Sequence, residues 1–190
     1  MQNPVVSYKN FLDEAELKYW ISAIDRHMEN ESLIKRTHGV PRRDILPFGI
    51  DGKAVFNKSL KALDKDEINA TSLANRVMET VYSSFKEDKD LYLTSFWLCK
   101  QYPGSMLGKH EDTDSGFNMQ NIYSAVIYLN TLKDSGAIVF NKFDYKKYPT
   151  AGDLIVFKSQ GTGTHEVEVS NEIRYTIPIW FTDDKNYSLT

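Results

Sequence analysis

The apolar pattern of this chain changes once, near Asp90: helical spacing comes before it and strand spacing after it. A period of 3.6 and a period of 2 cannot be met by one kind of element, so the switch demands a helical leading part followed by a β-rich body. Asp13 and Glu16 resemble a capping box, and Leu17, Trp20, Ile21, Ile24 and Met28 then recur on one helical face. Ile68, Leu73, Val77, Val81 and Phe85 predict a second amphipathic helix that closes in the charged run Lys86–Asp90. Between the two, Lys35–Gly52 is rich in Gly, Pro and Arg and reads as a long loop.

From Leu91 onward six strands are predicted, at Leu91–Tyr102, Tyr123–Asn130, Ala137–Phe140, Asp153–Lys158, His165–Val169 and Glu172–Thr182. Turn residues separate them, among them Pro103-Gly104, Ser135-Gly136 and Gly161-Thr162-Gly163. Short strands with no helices between them favour an antiparallel sandwich or barrel, with the two helices covering one outer face. At 190 residues the chain is read as one domain, 1–90 forming helical support and loop and 91–190 the β core.

Charge and cysteine usage narrow the setting. A net charge of −3 gives no general pull toward nucleic acid or anionic lipid, and no apolar run approaches a membrane span. Cys99 is the single cysteine, so no internal disulfide forms, and Met1–Asn10 lacks a charged-then-apolar leader. The expectation is a soluble protein of a reducing, cytoplasmic compartment, with no nucleic-acid or membrane partner.

The chemistry is carried by His110-Glu111-Asp112, answered downstream by His165 and Arg174. Two neutral imidazoles and one carboxylate on one side of a metal leave the opposite positions open, the arrangement that non-haem iron(II) oxygenases use. His110 and Asp112 point the same way if their backbone is extended. If Ser170-Asn171 is a two-residue hairpin turn, Val167 faces Arg174 and His165 faces Thr176, placing these four on one side. Ile173, Tyr175, Ile177, Ile179 and Phe181 then form the opposite, apolar stripe. A guanidinium on an inner wall is costly to desolvate without an anionic partner, either structural or a ligand. A dicarboxylate such as 2-oxoglutarate satisfies both needs, chelating iron at its 2-oxo acid end and meeting Arg174 at the other.

The set His110-x-Asp112, His165 and Arg174 resembles the 2-oxoglutarate-dependent iron(II) oxygenases. Tyr102-Pro103-Gly104, Ile127-Tyr128-Leu129-Asn130, Gly136, His165-Glu166-Val167, Arg174-Tyr175 and Trp180 are similar to the prolyl-hydroxylase branch, including the oxygen-sensing enzymes. The resemblance covers roughly Leu91–Asp183. It implies a double-stranded β-helix, a cupin-like jelly roll, with amino-terminal helices on the outer face of the major sheet. It also implies His110, Asp112 and His165 as iron ligands and Arg174 as the co-substrate clamp. By this resemblance Tyr128 would donate its hydroxyl beside Arg174, Tyr102 and Thr176 would line the co-substrate pocket, and Trp180 would stand near the metal-facing wall. The implied activity uses Fe(II), 2-oxoglutarate and O2, with ascorbate as reductant. It hydroxylates an unactivated C–H, most directly of a prolyl residue in a peptide or protein, yielding succinate and CO2. Asp112 argues for hydroxylation, because related halogenases carry a small residue there. Thr113–Ile122 and Lys35–Gly52 match no part of the pattern.

Other readings stand beside this one. The same residues serve a hydroxylase of a free amino acid or other small molecule. A cupin-like metal protein without oxygenase activity is a different class, although such sites generally use more histidines than the four available here. A nucleic-acid demethylase is disfavoured by the acidic balance. His27 and His38 are read as structural or solvated, Cys99 as a small buried hydrophobe, and Lys35, Arg36, His38, Arg42 and Arg43 as a solvated basic loop.

Overall fold

In the computed structural model, which describes residues 4–28, 35–36, 43–48, 65–113 and 121–187, the first helix starts on the anticipated cap. The Asp13 amide donates to Glu16 Oε2 at 3.0 Å and the Glu16 amide to Asp13 Oδ1 at 2.8 Å, so α1 (Glu14–Met28) opens on a reciprocal capping box. The second helix, α2 (Lys65–Phe85), stops where Lys86 adopts a left-handed φ of 50°. Asp66 on α2 ties the two together, accepting from Tyr19 Oη, from Arg26 at 2.5 Å and from His27 Nε2 at 2.9 Å.

Among the described residues, eleven strands follow chain order around these helices: β1 (Val5–Tyr8), β2 (Lys35–Arg36), β3 (Arg43–Phe48), β4 (Tyr92–Gln101), β5 (Leu107–His110), β6 (Tyr123–Tyr128), β7 (Ile138–Phe140), β8 (Tyr145–Lys147), β9 (Leu154–Lys158), β10 (His165–Val167) and β11 (Arg174–Thr182). They form a seven-stranded sheet, β1-β9-β6-β11-β4-β3-β2, and a four-stranded sheet, β5-β10-β7-β8, with every pair antiparallel. From β4 to β11 the chain passes repeatedly from one sheet to the other, which is the jelly-roll path.

Strand alternation divides the large sheet into two faces. Ala125 and Ile127 on β6, Leu154 and Val156 on β9, Ile177, Ile179 and Phe181 on β11, and Phe96 and Leu98 on β4 share one apolar cluster with Trp20, Ile24, Leu73, Val77 and Val81 of the helices. The helix stripes predicted from spacing are thus packed on this face, except for Ile68, which is exposed at the start of α2. Phe181 is fully buried there, and its truncation to Ala would cost roughly 3–5 kcal/mol. On the opposite face Tyr128, Ile155 and Phe157 meet Ile138, Phe140 and Val167 of the small sheet in a second cluster. That inter-sheet layer leads to the functional cavity.

Two expectations fail. Segment Lys35–Gly52 is not a plain loop, because β3 pairs with β4 from Arg43↔Gln101 to Phe48↔Phe96 and β2 pairs with β3. Arg43, Asp44 and Pro47 hide the strand pattern of Arg43–Phe48, and its position toward the sheet's outer edge tolerates them. Of the basic cluster, Lys35, Arg36 and Arg43 lie in these strands, while His38 and Arg42 fall outside the described residues.

The second failure is the hairpin at Ser170-Asn171. β10 pairs with β5 and β7, whereas β11 pairs with β4 and β6, so the strands flanking these residues belong to different sheets. The chain turns a corner there instead. The Ser170 amide donates to Ser105 O at 2.9 Å and the Gly104 amide to Ser170 O at 2.6 Å, so the β4–β5 and β10–β11 crossings run side by side. Local turn residues signal a change of direction but carry no information on which sheet receives the next strand.

Candidate active site

His110 ends β5, and Asp112 lies just beyond it in a turn, so only the histidine is placed by strand geometry. His165 opens β10 and is the direct cross-strand partner of His110. Ligand atoms of His110, Asp112 and His165 all lie within 4.8 Å of one another, with His110 Nε2 3.3 Å from Asp112 Oδ1 and the two imidazole centroids 4.3 Å apart. The triad named from sequence is therefore assembled in space.

Hydrogen bonds settle the tautomer of both rings. His110 Nδ1 is 2.7 Å from Gly108 O, and His165 Nδ1 is 2.7 Å from Gly163 O. A carbonyl only accepts, so each Nδ1 carries a proton and Nε2 is the nitrogen left to present a lone pair when the ring is neutral. This is the outer support that metal-ligating histidines need. Phe140 stacks on His165 at 5.2 Å and Phe157 meets it edge-on at 5.0 Å, fixing the ring from the apolar side. His165 is buried, and burial is the main cause holding its pKa below the ordinary value despite the Asp112 charge, which keeps it neutral. For Asp112 burial pushes the other way, yet hydrogen bonding to His110, Ser124 and Trp180 and the nearby His165 leave its pKa lowered, as an anionic ligand requires.

These side chains open on a cavity of about 330 Å³ between the two sheets. The small sheet contributes Leu107, His110, Ile138, His165 and Val167, and the large sheet Ser95, Trp97, Val126, Arg174, Thr176, Pro178 and Trp180. His165 and Arg174 thus share a surface as expected, but from facing walls and not through a common hairpin. Arg174 is 3% exposed, donates through Nη1 to Gln101 Oε1, and stands 5.4 Å above the Tyr128 ring centroid. The Tyr128 hydroxyl is completely buried and has no hydrogen-bond partner of ordinary length among the described residues. Burial pushes its pKa up to about 12, with the Arg174 charge pulling the other way.

Trp180 lines the cavity beside Asp112 and packs edge-on against Trp97 at 4.6 Å. Tyr102 is not among the lining residues. Its ring lies 5.8 Å from Lys100 Nζ, and the strand position that turns inward at the end of β4 is Gln101. Sequence reasoning passed over Gln101, Trp97, Ser95, Ser124 and Asn121. Alternation along β4, counted from the apolar Phe96 and Leu98, is the signal that places Ser95, Trp97 and Gln101 on the cavity face.

The donor set, the supported tautomers, the buried guanidinium and the unpartnered phenol fit an iron ion and a dicarboxylate. Solved structures of the same fold are numerous. The viral collagen prolyl hydroxylase of Paramecium Bursaria Chlorella virus-1, solved as a 2OG complex, is 14% identical with a TM-score of 0.69, over 94% of this chain and 96% of its own. A Trichoplax adhaerens prolyl hydroxylase, in complex with a hypoxia inducible factor oxygen degradation domain peptide fragment, is 18% identical with a TM-score of 0.64, over 99% and 87%. The non-heme alpha ketoglutarate dependent epimerase SnoN from nogalamycin biosynthesis is 13% identical with a TM-score of 0.70, over 96% and 78%. No curated protein matches the chain. Residues 97–182, which hold the triad, Arg174 and Tyr128, match the family model described as the 2OG-Fe(II) oxygenase superfamily.

Proposed function

We propose that this protein is an Fe(II)- and 2-oxoglutarate-dependent dioxygenase that hydroxylates a prolyl residue of a peptide or protein. One observation carries the oxygenase reading: the His110–His165 pair and Asp112 open on the same cavity as the buried Arg174. His110, His165 and Asp112 would hold the iron. Arg174 would take the distal carboxylate of 2-oxoglutarate in a charge-assisted pair, Tyr128 would donate its hydroxyl beside it, and Thr176 would close the same wall. The group supplies the oxidation when bound: 2-oxoglutarate and O2 become succinate and CO2 as one oxygen enters a C–H bond, with ascorbate keeping the metal reduced. The apolar walls of Val126, Ile138, Val167 and Pro178 exclude water around the co-substrate.

The prolyl preference is supported by the quoted prolyl-hydroxylase motifs and by the two prolyl hydroxylases of like fold, one of them holding a peptide. The epimerase of like fold shows that product identity has to be measured. Purified protein with iron(II), ascorbate and 2-oxoglutarate should release succinate coupled to addition of one oxygen to proline-containing peptides. Succinate and oxygen incorporation only with free amino acids or other small molecules would move the assignment to that class, and no succinate with any prime substrate would defeat the oxygenase reading.

A further inference from the structure

A buried polar chain lies behind the third ligand. Asn121 Nδ2 donates to the main-chain oxygen of Asp112 at 2.8 Å, and Thr94 Oγ1 donates to Asn121 Oδ1 at 2.8 Å. Thr94 is fully buried and Asn121 is 2% exposed. With its nitrogen committed to a carbonyl and its oxygen to a hydroxyl, the amide has one orientation. Such a link in a low-dielectric interior is worth more than an exposed one.

Asp112 needs this support in a way the histidines do not. His110 and His165 are cross-strand partners, each fixed by a ladder and by a carbonyl on Nδ1. Asp112 lies past the end of β5 in a turn, so no strand ladder sets its main chain. Thr94 sits on β4, an interior strand of the large sheet, and the Thr94–Asn121 chain connects Asp112 to that sheet. Ser124 and Trp180 hold the carboxylate end, and Asn121 holds the backbone end.

We propose that Asn121 is a positioning residue of the metal centre, anchoring the Asp112 main chain to Thr94 of β4 and so setting the distance of the carboxylate ligand from the two imidazoles. The proposal rests on the reading of the triad as a metal site. Loss of an outer-shell partner typically weakens metal binding by about 10–100-fold. The same loss should appear here without collapse of the fold.

The test is an anaerobic cobalt(II) titration, read by visible absorption, on the full chain and on Asn121→Ala, Asn121→Asp and Thr94→Val, with melting of each metal-free protein recorded alongside. Asn121→Ala and Asn121→Asp should bind cobalt(II) at least about tenfold more weakly, in the range seen for outer-shell losses. Thr94→Val should shift in the same direction by less, and the KM for iron(II) should rise while that for 2-oxoglutarate stays near wild type. If Asn121→Ala fails to fold, Asn121→Asp and Thr94→Val decide. Cobalt(II) affinity unchanged in the folded variants, with a lowered melting point of the metal-free protein, overturns the proposal and leaves Asn121 a packing residue. A wild-type protein that binds no cobalt(II), or a His165→Ala variant that binds it equally well, overturns the metal reading itself and the proposal with it.

Discussion

Gln101 and Arg174 are direct cross-strand partners at adjoining ends of β4 and β11, and the Gln101 amide oxygen accepts a hydrogen bond from Arg174 Nη1. Both are buried, so the orientation of the guanidinium depends on this neighbour. A hydrogen bond to a charged group contributes about 1.5–3 kcal/mol, which corresponds to roughly ten- to hundredfold in affinity. Gln101→Leu should weaken 2-oxoglutarate binding by that order. Gln101→Glu should weaken it at least as much, because a carboxylate there pairs with Arg174 and repels the incoming dicarboxylate. Anaerobic calorimetry of 2-oxoglutarate on the metal-loaded protein measures both, and wild-type affinity in both variants would detach Gln101 from the co-substrate.

Tyr128→Phe separates stability from binding. The hydroxyl it removes is buried without an ordinary hydrogen-bond partner among the described residues, and an unsatisfied buried polar group costs about 1–3 kcal/mol. The variant should therefore melt at or above the wild-type temperature when 2-oxoglutarate is absent. With 2-oxoglutarate present it should gain less stabilisation than wild type, since the donor beside Arg174 is gone. A lower melting temperature without co-substrate would mean that the hydroxyl serves the fold.

These two cases mark how far the sequence could be read. Arg174 and Thr176 were placed on the cavity face correctly, because alternation along β11 is a local property. The same holds for Ile177, Ile179 and Phe181 against the helices. Their supposed pairing with His165–Val169 was wrong, since two neighbouring strands with turn residues between them can join a hairpin or separate into two sheets, and local chemistry is the same. Strands β1, β5 and β8 passed unseen because they are short, and β5 carries Gly108 and Lys109. Gln101 was passed over because the quoted motif begins at Tyr102, one residue past the strand position that bonds Arg174. Thr113–Ile122 returns at Asn121 as a support of Asp112, and its residues 114–120 lie outside the described residues.

Asp66 predicts an acid-sensitive helix pair. Burial, the largest influence, raises its pKa, but hydrogen bonds from Tyr19, Arg26 and His27 together win and hold it below the ordinary value. Tyr19 shows the converse, pushed up to about 12 by burial and then by Asp66. A carboxylate with a depressed folded pKa stabilises the fold above its unfolded pKa of about 3.9, and that stability is lost as pH falls through the folded value. Asp66→Asn should therefore cost on the order of 2 kcal/mol at pH near 7 and progressively less below pH of about 4. Urea unfolding of both proteins across that window checks the sign, and a deficit that grows on acidification would contradict it.

Gly163 is the position where backbone and metal chemistry meet. A Cβ there would lie 2.1 Å from Lys158 O and 2.7 Å from Ser159 O, both main-chain atoms that cannot swing aside. The carbonyl of the same residue holds His165 Nδ1 at 2.7 Å, so displacing the segment to relieve the clash also turns the imidazole. Gly163→Ala should lower unfolding stability by about 1–3 kcal/mol, as overpacking does, and weaken cobalt(II) binding by about tenfold or more through the lost histidine support. Gly108 offers the matched comparison: its carbonyl holds His110 in the same way, but a Cβ there meets nothing within 4 Å. Gly108→Ala should shift cobalt(II) affinity far less. Equal losses in the two variants would show that the effect follows from replacing glycine at these positions, and not from the contact between Gly163 and the end of β9.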